Sequence, residues 1–149
     1  DSGNRAARGS PATGSRSVSC AARMVFGFFA WKARAGGVTQ WVYHHGSTPE
    51  HNYVWPAAEA TAPLLPTPRW EAVREGTKDF RLLALLERKL ARASGPAAAA
   101  ARAFLAELAG KIELRNEDYD AISGGRVPAP PVETMNAWRD RIASLVDRL

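Results

Sequence analysis

Residues 26–45 have the sequence FGFFAWKARAGGVTQWVYHH, and its pattern changes halfway along. The first half continues a run of apolar residues at helical spacing, whereas the second half is rich in the β-branched and aromatic residues typical of strands. Gly36 and Gly37 separate the two halves, and glycine commonly ends a helix. The stretch therefore predicts a helix over residues 17–35, followed after a short turn by a β-strand over residues 38–43.

The predicted first helix is apolar on most of its sides, which indicates a buried helix. Met24, Phe28 and Trp31 fall on one of its faces. Gly27 lies in its middle, where glycine lowers helix stability by about 1 kcal/mol relative to alanine. The expected compensation is the close approach of another backbone. Gly76, inside a later helical segment, predicts a close crossing of the same kind.

The predicted strand has no obvious partner in this chain, because no second strong strand pattern occurs. A lone strand leaves its backbone hydrogen-bonding groups unsatisfied, so it must pair with something else. Residues 44–68 form a long Pro-rich segment that we predict to be a loop. Loops of this length in compact domains are commonly lids or rims of functional sites.

The rest of the chain is predicted to be helical, apart from residues 1–16, which are predicted to be loop or disordered. One helix spans residues 69–93, a second starts at Gly95-Pro96, and a third starts near Pro131. The predicted apolar face of the first of these helices is Trp70, Val73, Phe80, Leu83, Leu86 and Leu90. That of the second is Phe104, Leu105, Leu108 and Ile112. That of the third is Val132, Met135, Trp138, Ile142, Leu145 and Leu149.

The amino-acid composition excludes several classes of function and of binding partner. Of 149 residues, 46% are hydrophobic and 23% charged, which is typical of a globular domain. The net charge of +5 is spread without a basic run, so we predict no nucleic-acid partner. No stretch approaches the roughly 20 apolar residues needed to cross a bilayer, so we predict no membrane partner. The single cysteine offers no zinc motif, and no cofactor motif occurs.

Two segments together resemble bacterial TIM-barrel proteins of glycoside hydrolase family 123, which overlap domain of unknown function 4091. In residues 26–45, a Trp-Lys pair precedes a glycine and an apolar strand, as in the family's last barrel helix and eighth strand. Residues 69–90, RWEAVREGTKDFRLLALLERKL, are similar to the family's Arg-x-Gly-x-x-Asp motif followed by an aromatic residue and a Leu-rich run. The matching positions are Trp31, Lys32, Gly37, Gln40, Trp41, Val42, Tyr43, Arg69, Arg74, Gly76, Asp79 and Phe80.

The resemblance implies a mostly α chain that carries the last helix and eighth strand of a (β/α)₈ barrel, followed by C-terminal helices. Residues 17–93 would be the C-terminal end of the glycosidase-like barrel, and residues 94–149 a helical extension. The barrel is incomplete, because the seven earlier strands are not in this chain, and the remaining N-terminal barrel would be its main partner. The expected substrate of the complete protein is an N-acetylhexosaminide carbohydrate.

The family places its catalytic acid and its acetamido-stabilising carboxylate in an adjacent Asp-Glu pair on an earlier strand. No Asp-Glu dipeptide occurs in this chain. The resemblance therefore implies glycoside hydrolase activity in the longer protein and none in this segment alone. No catalytic residue is predicted here.

Ligands of barrel enzymes bind at the C-terminal ends of the strands. Trp41, Tyr43 and His44 would lie there, so they are the predicted substrate-binding residues. The alternative is that Trp41 and Tyr43 alternate onto one face and fill the core. A metal cluster of His44, His45 and His51 is disfavoured, because adjacent residues on a strand point to opposite faces.

Other motif residues have structural interpretations. Arg74 and Asp79 are five positions apart, which is too far round a helix for a pair, so we expect each to reach a neighbouring element. A second function remains open: a non-catalytic helical interaction module that docks on a partner chain through its apolar first helix. The sequence does not indicate a cellular compartment.

Overall fold

The computed structural model describes residues 20–38, 54–55, 65–112 and 129–149. These residues are mostly helical, which confirms the predicted mostly α class. Helix α1 occupies residues 20–32 and contains a π-helical segment, Val25–Phe29, followed by Ala30–Lys32. The later helices are α2 (Pro68–Leu90), α3 (Gly95–Lys111) and α4 (Val132–Asp147).

Helix α2 is the central element, because it packs against each of the other three helices. The Thr67 hydroxyl accepts a hydrogen bond from the Trp70 backbone N–H at 3.2 Å, which caps the first turn. Pro68 occupies the first position of the helix, where a backbone N–H would have no partner within the helix, so proline is tolerated there. Glu71 in the first turn complements the helix dipole. Because these features are local, the observed helix begins and ends within a few residues of the predicted range, 69–93.

All four helices contribute to one main hydrophobic core. The predicted faces of α2, α3 and α4 supply most of it, and Trp138 packs its ring edge-to-face on Phe28, with centroids 5.1 Å apart. Val132 is an exception, since it is 42% exposed although its spacing predicted burial. It occupies the first position of α4, where the helix has only begun to approach its neighbours. The core residues with the lowest exposure are Phe28, Leu83, Leu86, Ala98, Ala101, Leu108, Ile112, Met135, Ile142 and Leu145.

The prediction that the first helix is buried is confirmed: Met24, Phe28 and Trp31 all lie in the core. The predicted C-terminal end of this helix is wrong. The helix stops at Lys32 rather than at residue 35, and Arg34, not a glycine, adopts the left-handed conformation with φ 53°. Two backbone hydrogen bonds, from Arg34 N–H to the Trp31 carbonyl and from Ala35 N–H to the Ala30 carbonyl, close the terminus in the Schellman pattern.

The predicted strand over residues 38–43 lies outside the described residues except for Val38, which is not part of a strand. Two short strands occur instead within the segment predicted as a loop. Strand β1 (Val54–Trp55) pairs antiparallel with strand β2 (Leu65–Pro66), so that Val54 faces Pro66 and Trp55 faces Leu65. Two-residue strands are too short to produce the alternating pattern by which a strand is predicted.

Candidate functional site

Helices α1 and α2 cross at two glycines, as their positions predicted. A Cβ atom on Gly27 would lie 2.9 Å from the Gly76 carbonyl oxygen, and one on Gly76 would lie 2.5 Å from the Arg23 carbonyl oxygen. Real Cβ atoms do not approach backbone this closely. The crossing therefore requires glycine on both helices, and it brings the side chains on either side of the glycines together.

Arg23 and Asp79 form a buried ion pair beside this crossing. The Arg23 Nε donates to Asp79 Oδ2 at 2.7 Å, and its Nη2 donates to Oδ1 at 3.3 Å. Arg23 is only 4% exposed and Asp79 is fully buried. A third bond, from Arg23 Nη1 to the Asn136 side-chain oxygen at 2.6 Å, extends the contact to α4. Asp79 reaches a neighbouring helix, as predicted.

Arg139 of α4 approaches the same carboxylate from the other side. Its Nε donates to Asp79 Oδ1 at 2.5 Å, its Nη1 donates to the Glu75 carboxylate, and its Nη2 donates to the Glu75 carbonyl oxygen at 2.8 Å. Lys78 adds a bond to the other Glu75 oxygen at 2.6 Å. Four charged side chains and one amide therefore join α1, α2 and α4; we call Arg23, Asp79, Arg139, Glu75 and Asn136 the ion cluster.

The charges of the ion cluster stabilise one another. Hydrogen bonds from Lys78 and from Arg139 lower the pKa of Glu75 from 4.5 to about 2. Burial by itself would lower the pKa of Arg139, but its bonds to Asp79 and Glu75 outweigh burial and raise the pKa overall. Both groups are therefore held in their charged forms across the physiological pH range.

The geometry of the ion cluster fits a structural role better than a catalytic one. Both oxygens of Asp79 already accept bonds from arginines, and both oxygens of Glu75 accept bonds from cations. A general acid or base needs a carboxyl group that can exchange a proton with a substrate. Neither carboxylate has that freedom, so the arrangement orients three helices and offers no reactive group.

The Trp31-Lys32 pair of the sequence motif also fixes helices. Trp31 is buried in the core. The Lys32 ammonium group donates to the backbone carbonyl of Ile112, just beyond the end of α3. A cation suits this position, because it lies at the C-terminal end of α3 and that end of a helix carries partial negative charge. The pair therefore joins the end of α1 to the end of α3.

The predicted substrate-binding residues, Trp41, Tyr43 and His44, lie outside the described residues, as do His45 and His51. Within the described ranges, no three His, Cys, Asp or Glu side chains are grouped to hold a metal ion. No described helix is both long and apolar enough to cross a membrane.

The prediction for Arg74 is wrong. Its guanidinium pairs with Glu71 at 2.8 Å, one turn away on the same helix, and both side chains are about half exposed. The sequence reasoning also missed Arg23, Asn136 and Arg139. Arg23 had a detectable signature, because it is a charged residue inside an otherwise apolar helix and such a residue requires a buried partner.

No family model, curated protein sequence or solved structure matches this chain.

Proposed function

We propose that this chain is the C-terminal part of a TIM-barrel protein similar to glycoside hydrolase family 123. In this proposal α1 is the last barrel helix, residues 38–43 form the eighth strand, and α3 and α4 belong to a helical extension. The complete protein hydrolyses N-acetylhexosaminide-type carbohydrates. Its catalytic carboxylates come from outside this chain, and Trp41, Tyr43 and His44 contact the sugar.

One observation carries the proposal: motif residues of the second segment contact the helix of the first. Gly76 of the Arg-x-Gly-x-x-Asp motif lies against the backbone of Arg23 and Gly27, and Asp79 of the same motif binds the Arg23 side chain. The spacing of the motif thus matches one turn of α2 that touches α1 twice. The two segments that carry the resemblance therefore pack against each other, as the proposal expects.

The first test is the coding sequence upstream of residue 1. The proposal expects several hundred residues of alternating strand and helix there, with an adjacent Asp-Glu pair after one strand. A different architecture upstream would overturn it. The second test is hydrolysis of aryl N-acetylglucosaminides and N-acetylgalactosaminides by the complete protein.

The role of the predicted sugar-contacting residues can be tested in the complete protein. Trp41→Ala should weaken substrate binding by about 1–3 kcal/mol through the loss of an aromatic platform, by analogy with bases stacked on aromatics. Tyr43→Phe should cost about 0.5–1.5 kcal/mol, because one hydroxyl hydrogen bond is lost. Melting curves of both variants are required controls. Unfolding of Trp41→Ala with unchanged turnover in Tyr43→Phe would indicate core residues instead.

A second candidate, a non-catalytic helical module, is favoured by a different observation, although the face of α1 formed by Met24, Phe28 and Trp31 is buried in this chain's own core and is not a docking surface. Helices α1 to α4 close a common core in which Phe28, Leu86, Leu108 and Ile142 are fully buried. A core shared by all described helices is what an autonomous module requires. Thermal unfolding of residues 17–149 expressed alone separates the two candidates. A steep two-state melt favours the module, and a broad transition with binding of a hydrophobic dye favours the barrel part.

A further inference from the structure

The side of α2 that faces away from the core carries two exposed arginines, Arg81 and Arg88, and a third exposed arginine, Arg92, lies in the turn that follows the helix. Arg81 and Arg88 are seven residues apart, so they fall within about 20° of one another around the helix axis. Along the axis these two residues are about 10.5 Å apart, and Arg92 follows Arg88 by four residues. The buried residues of α2, among them Leu83 and Leu86, lie on the opposite side.

These three guanidinium groups have no acceptor in the part of the chain that the structure describes. The other cations of α2 all interact within the chain. Arg74 pairs with Glu71, Lys78 pairs with Glu75, and Lys89 donates to the Val146 carbonyl oxygen at 2.7 Å. Because the other cations of α2 have partners within the chain, these three arginines are the ones that can bind an acceptor from outside it.

Apolar side chains lie directly beside the arginines. Phe80 and Leu85 are half-buried, and together with Arg81 and Arg88 they line an open groove along α2. Glu87 also lines this groove, but Arg34 engages both of its oxygens at 2.8 and 2.9 Å. We call Arg81, Arg88, Arg92, Phe80 and Leu85 the arginine face. It combines an apolar groove with positive charge that is not neutralised.

We propose that the arginine face docks an acidic amphipathic helix of a protein partner. A helix in a groove inserts apolar side chains at positions i, i+3 or i+4, and i+7. Carboxylates seven residues apart on such a helix rise by about 10.5 Å, which is the rise between Arg81 and Arg88. Arginine binds carboxylates through two parallel hydrogen bonds, which adds geometric selectivity to the charge attraction.

Two other occupants fit the arginine face less well. A second copy of this chain would bring a net charge of +5 and the same unpaired arginines against it. A nucleic acid would satisfy the guanidinium groups with phosphates but would not cover the exposed apolar parts of Phe80 and Leu85, whose other sides pack against the core. An acidic helix with an apolar stripe satisfies both parts of the face. This proposal does not depend on the function proposed above, because it concerns residues outside the predicted sugar site.

The test uses a synthetic 21-residue helical peptide with leucines at positions a and d of three heptads and a glutamate at every g. A scrambled peptide of identical composition is the control ligand. Binding to the full chain is measured by fluorescence anisotropy at 0.15 M salt, where the Debye length is about 8 Å. The patterned peptide should bind at least about tenfold more tightly than the scrambled one.

The variants test whether the arginine face is responsible. Replacing Arg81, Arg88 and Arg92 together by glutamine should raise the Kd of the patterned peptide at least about tenfold, the equivalent of about 1.4 kcal/mol. A matched variant that replaces Lys111 of α3, Arg141 of α4 and Arg148, which follows α4, removes the same charge elsewhere and should change the Kd less than about twofold. Both variants replace side chains outside the core, so their melting temperatures should match that of the parent.

Three outcomes would overturn the proposal. Equal affinity for patterned and scrambled peptides would show that only charge attraction operates. An equal loss of affinity in both triple variants would place the binding elsewhere on the chain. Tighter binding of a 20-base-pair DNA duplex than of the patterned peptide, lost in the Arg81/Arg88/Arg92 variant, would assign the face to nucleic acid.

Discussion

Gly27 and Gly76 face each other where α1 crosses α2, and the Gly76 Cα would lie 3.2 Å from a Cβ added to Gly27. This contact sets the distance between the two helices. It thereby also sets the position of Arg23 relative to Asp79, since these residues lie four and three positions away from the glycines. Packing at the glycines and charge pairing beside them therefore stabilise the same crossing.

Gly76→Ala should destabilise the protein, because the added methyl group would meet the Arg23 carbonyl oxygen at 2.5 Å and the backbone would have to move. Overpacking of this kind costs about 1–3 kcal/mol, measured by chemical or thermal unfolding. Gly110→Ala is the matched control, because Gly110 is also helical and has nothing within 4 Å of the added atom. That control should gain up to about 1 kcal/mol. A gain in both variants would contradict the close crossing.

Asp79→Ala should be one of the most damaging substitutions in the described helices, because it leaves Arg23 buried without a carboxylate. Breaking a buried pair by removing one partner costs about 3–5 kcal/mol. Glu71→Ala removes the exposed partner of Arg74 and a first-turn charge that complements the helix dipole, and it should cost about 1 kcal/mol or less. Equilibrium unfolding in urea compares the two. Similar losses would mean that the ion cluster contributes no more than a surface pair.

Stability should fall in acid partly through Glu75. Its pKa is lowered from 4.5 to about 2 in the folded protein, so the folded state favours the charged form. The resulting stabilisation is complete above about pH 4.5 and disappears as the pH falls towards about 2. The melting temperature of Glu75→Gln should therefore lie below that of the parent at pH 6 and converge with it near pH 2. Glu133→Gln on α4 is the control carboxylate, and an identical pH profile for both variants would count against the prediction.

Thr67→Ala should weaken the start of α2, because it removes the hydroxyl that accepts the Trp70 N–H. Loss of an N-cap costs about 1 kcal/mol. Ser94→Ala is the matched control, since Ser94 occupies the same position before α3 and its side chain makes no capping bond. Thermal unfolding should separate the two variants clearly. Equal melting temperatures would show that the Thr67 hydroxyl does not stabilise α2.

Periodicity and capping residues alone predicted much of the fold. The helix over residues 69–93, the buried faces of the later helices and the need for close approach at Gly27 and Gly76 are all properties of short segments. Each follows from side-chain spacing, from backbone propensity or from the missing side chain of glycine. The errors at helix ends have local causes too: Arg34 took the left-handed position expected of a glycine, and Val132 lies in the first turn of α4.

Only the tertiary structure decided which residues of different helices contact each other. The sequence predicted that Gly27 and Gly76 each needed a close neighbour, but not that they were each other's neighbours. It likewise gave no means of pairing Arg23 with Asp79, 56 positions away, or with Asn136, 113 positions away. Spacing along a chain reports only contacts within one element, whereas a buried charge is paired by whichever helix the core packing brings beside it.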